Sequence, residues 1–316
     1  MSVAQIKKPL LYVLLMFCCS PLFAQQDMQY SQYIFNYLVV NPAYAGYKEA
    51  VNLQAFGRSQ WAGVHGAPNV YSAVVDGSAT RENNVGWGGQ LVNETRGATN
   101  LFSMFGTYAY RLRLNQRDDR LAFGLSAGVT QWQIDRSKLI HNDPTNPYID
   151  HFRPEWRPDF RFGVFYSNPF FYAGASVTNL FANFSSAQKV PHLYVSAGGL
   201  VTLSDKVILK PSFLWREDFN GPGNVDINVM GLIMKELWLG VSYRTGIYFG
   251  FNDLVDPTSA QNTNAISILA ELYVLRNLRV GYSYDISLSG WPGTHEFSIS
   301  YLIERKRLVY SNPRYF

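Results

Sequence analysis

The chain has almost no cysteine: Cys18 and Cys19 are the only two in 316 residues. Both fall in an N-terminal stretch that runs from Lys7 and Lys8, through an apolar run from Pro9 to Phe17, into CCSPLFA ending at Ala24. Basic, apolar and small-residue parts in that order read as a secretory signal peptide, residues 1–24, cut near Ala24. Lipidation at these cysteines is disfavoured, because Phe17 precedes Cys18 and Cys18 precedes Cys19 where a small residue is wanted. Once the leader is removed, no disulfide or thiolate chemistry is left. Long hydrophobic runs are also missing. The leader's run is shorter than the ~20 residues a membrane helix needs, and no later run approaches that length. Charge is sparse, at 16% of residues, and loss of the leader lysines lowers the formal net charge from +4 to +2. That balance gives no argument for a nucleic-acid partner.

Catalytic and metal-binding patterns are absent as well. The five histidines, His65, His141, His151, His192 and His295, show no zinc-type spacing. His141 and His151 share a loop with Asp143, Asp150 and Glu155, and such loop histidines are usually solvated. No GxSxG is present, and His295 and Ser298 do not share a strand face, which argues against a membrane lipid hydrolase. Glycine pairs such as Gly86 to Gly89 lie in strand-like sequence and not before a helix, so they read as wall glycines and not as a phosphate cradle. No catalytic residue, no metal and no cofactor is expected.

What the sequence does have is 21 tyrosines, 21 phenylalanines and 25 glycines, arranged with a period of two. In LAFGLSAGVTQW, Leu121, Phe123, Leu125, Ala127 and Val129 fall on one face, and small or polar residues fall on the other. Apolar residues turned to lipid and small or polar ones turned inward make the wall of a transmembrane β-barrel. The same alternation predicts an all-β, antiparallel barrel over 50–303, most simply with fourteen strands. The approximate spans are 50–59, 69–77, 85–93, 100–114, 120–134, 159–167, 170–178, 193–203, 206–216, 224–233, 236–245, 264–273, 277–286 and 294–303. Connection length supports this. SATRENN, NQRDD, SNP, SDK, KE and LRN are short, and those between them are generally longer, including NETRGAT and 135–158. Short periplasmic turns alternating with longer extracellular loops are an outer-membrane habit. Rings near strand ends, among them Tyr108, Phe160, Tyr243 and Tyr282, suit the interfacial girdles.

Charges cannot face lipid cheaply, so inward parity puts Arg58, Arg111, Arg113, Arg161, Lys210, Arg216, Arg244 and Arg279 in the lumen or at its rims. Asp76, Asp226, Glu271, Asp285 and Glu296 share that parity. Two readings stand: a modestly basic lumen that attracts an acidic segment or anion, or an interior whose charges pair with one another.

Residues 25–49 do not alternate. Gln26 to Gly46 carries Tyr30, Tyr33, Phe35, Tyr37 and Tyr44, and no charge after Asp27. A free tail is rarely so aromatic. The block is expected to plug the periplasmic mouth, the alternative being a simple lead into the first strand. At the other end, the clean alternation stops with Tyr301 and Ile303. Pro313 cannot donate to a ladder, so 304–316 reads as a periplasmic tail with Arg307, Tyr315 and Phe316 as contact residues.

Several blocks together resemble one family. They are QDMQYSQYIFNYLVVNPAYAG (Gln26 to Gly46), RSQWAGVHGAPNVYSAVVDG (Arg58 to Gly77), YAYRLRL, LAFGLSAGV, LWLGVSYR, LRVGYSYD and GTHEFSISY (Gly293 to Tyr301). In that order they resemble the PorP/SprF family of type IX secretion outer-membrane proteins, over essentially the whole chain after the leader. The first two blocks are the specific ones. The resemblance implies a non-enzymatic barrel in the outer membrane of Bacteroidota. Its partners would be outer-membrane lipid, the secretion and gliding machinery, and a secreted cargo with a type IX C-terminal domain. It supplies no catalytic residues. Trp61, His65, Trp156 and Trp291 lie in the expected outer loops and are the candidate cargo contacts. The competing reading is a porin or solute channel.

Overall fold

The computed structural model describes residues 30–303 apart from 49, 81, 117, 139–152, 182–189, 220 and 249–263. The leader and the tail, with Arg307, Tyr315 and Phe316, lie outside the described residues, as do His141 and His151. The strands are β1 (Val51–Ser59), β2 (Asn69–Ser78), β3 (Val85–Arg96), β4 (Thr99–Arg113), β5 (Arg120–Ile134), β6 (Glu155–Ser167), β7 (Phe171–Thr178), β8 (His192–Gly199), β9 (Val201–Ser204), β10 (Val207–Glu217), β11 (Gly223–Ile233), β12 (Leu237–Ile247), β13 (Ala265–Tyr273), β14 (Leu278–Ser287) and β15 (Thr294–Ile303). Neighbours in sequence pair antiparallel around a ring, and β15 returns to β1 with Ala55 opposite Ile299 and Arg58 opposite Glu296. β8 and β9 are two pieces of one wall strand, interrupted at Leu200, and both pair with β10. The barrel is therefore closed and has fourteen strand positions. Among the described residues no helix is long and apolar enough to cross a membrane.

The period-two pattern explains the wall. On β5, Phe123 and Leu125 are exposed while Ala122, Ser126 and Thr130 are buried. On β12, Leu239, Val241 and Tyr243 point out while Ser242 and Arg244 point in. A band of exposed large apolar side chains would be an aggregation hazard in water and is the normal coat of a barrel in lipid. A ring with no free edge also satisfies every strand's backbone groups inside the bilayer.

Connections sort by end only in part. At one end the turns are short, spanning 79–84, 114–119, 168–170, 205–206, 234–236 and 274–277. At the other end 60–68, 135–154, 179–191 and 248–264 are longer, but 218–222 and 288–293 are no longer than 79–84, and β3 and β4 run on through the NETRGAT stretch. Thr95 pairs with Asn100 and Arg96 with Thr99, so Gly97 and Ala98 alone turn the chain, Gly97 at φ +56°. The expected long loop is thus a tight hairpin tip, and the neighbours keep pace with it: Asn69 on β2 pairs with Thr95 and Ile134 on β5 pairs with Thr99. Trp156 is likewise not in a loop. β6 begins at Glu155, and Trp156 shares the outward face of Phe162. Arg113, expected in the lumen or at its rims, ends β4 and is largely exposed at the short-turn rim.

Candidate functional site: the lumen and its outer rim

The N-terminal block folds as three short 3-10 turns, Gln32–Phe35, Tyr37–Val39 and Pro42–Tyr44. Two asparagines cap them. Asn36 accepts from Leu38 N, and Asn41 accepts from Ala43 N at 2.9 Å with Pro42 at the first helical position. Both residue types favour a helix start. Tyr33, Ile34, Tyr37, Leu38, Ala43 and Tyr44 are all buried, and they sit at the centre of the molecule's apolar core. The core of this barrel is its own N-terminal segment.

That segment is bonded around the circumference. Tyr33 accepts from Asn228 on β11, and the Tyr37 and Tyr172 hydroxyls pair at 2.6 Å. Asn41 donates to Val164 O on β6, and Ser176 on β7 donates to Val40 O. Lys210 on β10 donates to Ile34 O, Arg111 on β4 donates to Ala45 O, and Gly46 N donates to Asp76 on β2. Lys48 turns back to donate to Phe35 O. Several inward glycines make the approach possible, among them Gly86, Gly124 and Gly163. A Cβ on Gly124 would overlap the backbone of Pro42 and Ala43, and one on Gly163 would overlap the Asn41 side chain.

The segment reaches much further than the periplasmic mouth. Ala45 and Gly46 lie near the short-turn end of β2 and β4, whereas Ser31 and Gln32 lie at the level of Arg58 and Glu296, near the long-loop ends of β1 and β15. The chain therefore runs the height of the lumen, with its earliest described residues uppermost. A polar wall facing an aromatic filler allows this, because the filler's exposed backbone groups find wall partners along the whole path.

The wall charges are largely paired with one another. Asp226 bridges Arg216 at 2.9 Å and Arg244 at 2.8 Å across β10, β11 and β12. Arg58 bridges Asp285 and Glu296, each at 2.9 Å, and Arg279 meets Glu271 at 3.3 Å. Arg161 bonds Gln90 and lies over the Phe105 ring, 3.5 Å from its centroid. Of the lumen cations anticipated from parity, Arg58, Arg216, Arg244 and Arg279 are thus held by wall carboxylates, Arg111 and Lys210 by carbonyls of the N-terminal segment, and Arg161 by an amide and a ring. Among the described residues no cluster of His, Cys, Asp and Glu has the makings of a metal site.

On the outer rim, Trp61 and Trp291 stack with centroids 4.7 Å apart, joining the β1–β2 and β14–β15 loops. Trp61 N donates to Thr294 Oγ1 and Ala62 N to Gly293 O, which fixes the pair above the β1–β15 seam. His65 is exposed in the first of those loops. Trp156 stands apart from this pair, on the lipid-facing side of β6. Sequence reading missed Ser31, Gln32 and Asn41 as wall-binding residues. The one signal available was glycine at inward positions, Gly124 and Gly163, where a side chain would have fitted an empty lumen.

A closed antiparallel ring with an apolar outer band and a charged, internally paired lumen defines an outer-membrane β-barrel. The family described as "Type IX secretion system membrane protein PorP/SprF" matches residues 22–301, and the chain belongs to that family. It is a membrane component of the type IX secretion system, located in the outer membrane. No curated protein matches the chain. Among solved structures it is similar to the Acinetobacter baumannii outer membrane protein Omp33, with a TM-score of 0.48, 8% identity, and coverage of 80% of this chain and 98% of that one. A mutant porin of Rh. blastica gives a TM-score of 0.37, 10% identity, and coverage of 80% and 98%.

Proposed function

We propose that this barrel serves type IX secretion as a non-enzymatic docking platform, holding an exported cargo protein by its C-terminal domain at the cell surface. The observation that carries the reading is the buried N-terminal segment: residues 30–48 occupy the space through which a porin would pass solutes. Binding surfaces are then left at the two ends. At the outer end Trp61, Trp291 and His65 present aromatic and polar groups of the kind that anchor protein interfaces. At the inner end the tail with Arg307, Tyr315 and Phe316 offers a handle to the secretion or gliding machinery, and a gliding adhesin is one cargo that fits this scheme. The test is a pull-down of the tagged barrel from native outer membrane. A large secreted protein bearing a type IX C-terminal domain should co-purify, and its absence together with steady solute conductance would overturn the reading.

A further inference from the structure

Glu296 is contacted from two sides. Across the β1–β15 seam it lies directly opposite Arg58, whose guanidinium it meets at 2.9 Å. From inside the lumen, its carboxylate accepts from Ser31 N at 2.9 Å and Gln32 N at 3.1 Å, and its backbone carbonyl accepts from the Gln32 amide at 2.8 Å. Ser298, the next inward residue on β15, donates to Gln32 Oε1 at 2.6 Å, while Ser31 Oγ donates to Asp285 on β14. Two consecutive residues near the N-terminus therefore bond to the last two strands, at the place where those strands meet the first.

The seam differs from every other junction in the wall. The other junctions join strands that follow one another in sequence, and their register is constrained by the connection between them. β1 and β15 have no such connection, so their register must be set by side chains. A slip of one residue is forbidden, because it would turn the apolar face inward. A slip of two keeps every face correct and is opposed by nothing in the period-two pattern. It would place Arg58 opposite Thr294 or Ser298 and strand the buried Glu296 carboxylate, which is strongly unfavourable.

We propose that Ser31 and Gln32 form an internal clamp that sets the register in which the barrel closes, with Glu296 as the residue that is read. The N-terminal segment thereby has a folding function beyond occupying the lumen. The Arg58 cation and the amides that recognise Glu296 come from β1 and the segment preceding it, so only the native register satisfies all of them together.

Register can be read directly with disulfides, since Cys18 and Cys19 are the chain's only cysteines and both precede Ala24. Ala55 faces Ile299 in the native pairing. Three pairs would be made in the full chain: Ala55→Cys with Ile299→Cys, with Phe297→Cys, and with Tyr301→Cys. Opposed strand residues lie within disulfide range, whereas residues displaced by two are poorly placed. With the native clamp, the first pair should cross-link nearly completely and the other two weakly. Adding Ser31→Pro with Gln32→Ala removes the bonds of Ser31 to Glu296, Asp285 and Arg58 and the side-chain bonds of Gln32. The native cross-link should then fall several-fold and one slipped cross-link should rise. If the clamp variant fails to accumulate, the Ala55→Cys/Ile299→Cys bridge should restore it, and a bridge between Val229→Cys and Val241→Cys, an opposed pair away from the seam, should not. An unchanged cross-linking pattern, or a failure of the seam bridge to restore a missing barrel, would overturn the proposal.

Discussion

The hydroxyl of Tyr37 bonds the hydroxyl of Tyr172 at 2.6 Å, and their rings meet edge to face with centroids 5.3 Å apart. One residue belongs to the N-terminal segment and the other to the barrel wall, and both are buried. Each supplies the partner that the other's polar tip requires once water is excluded. Contacts of this kind recur along residues 30–48, so wall and filler fold as one packed body.

Gly124→Val tests that packing. Its Cβ would collide with the backbone at Pro42 and Ala43, and overpacking of this sort costs about 1–3 kcal/mol or more. Gly106 on β4 faces outward, with nothing within 4 Å of a built Cβ, so Gly106→Val should be near neutral. Urea titration of the folded, heat-modifiable band should separate the two. Equal midpoints would mean that the segment does not press on β5.

Asp226→Asn should destabilise the barrel by about 3–5 kcal/mol, because it leaves Arg216 and Arg244 as buried, uncompensated cations. Replacing all three with apolar residues of similar volume should recover most of the loss. A single substitution with no effect on the urea midpoint would indicate that water reaches this triad.

Val241→Arg places a charge on the lipid face of β12, where the expected loss is about 2–4 kcal/mol near the bilayer midplane. The measurement is folding into vesicles of defined thickness. Insertion as efficient as that of the unaltered chain would contradict the assignment of this face to lipid.

Trp61→Ala with Trp291→Ala removes the stacked pair while leaving the strands untouched. Cargo should appear in the culture medium at several times its usual level, with barrel abundance unchanged. Trp156→Ala should leave retention intact, since that ring lies on the outer face of β6.

Much of this fold is legible in the residues because the bilayer imposes a simple rule. Leu121, Phe123 and Leu125 can face only lipid, and Asp226 and Arg244 cannot, so period and parity fix the wall and most of the turns. Connection length misled at Asn93 to Thr99, where polar residues continue the β3–β4 ladder and imitate a loop, and at Trp156, which follows a proline-containing stretch but lies in β6. The lumen was less legible. Aromatic content pointed to a packed N-terminal block, but its depth depends on pairings such as Ser31 with Glu296 and Asn41 with Val164, which join residues far apart in sequence. Only the inward glycines, Gly124 and Gly163, carry a local trace of it.

Single-channel recording in a planar bilayer addresses the central claim most directly. The full chain should be silent, because residues 30–48 fill the lumen, and deletion of Gln26 to Gly46 should open a steady conductance or abolish folding altogether. A steady, porin-sized conductance from the full chain, or normal insertion of the deletion with no change in conductance, would contradict the account.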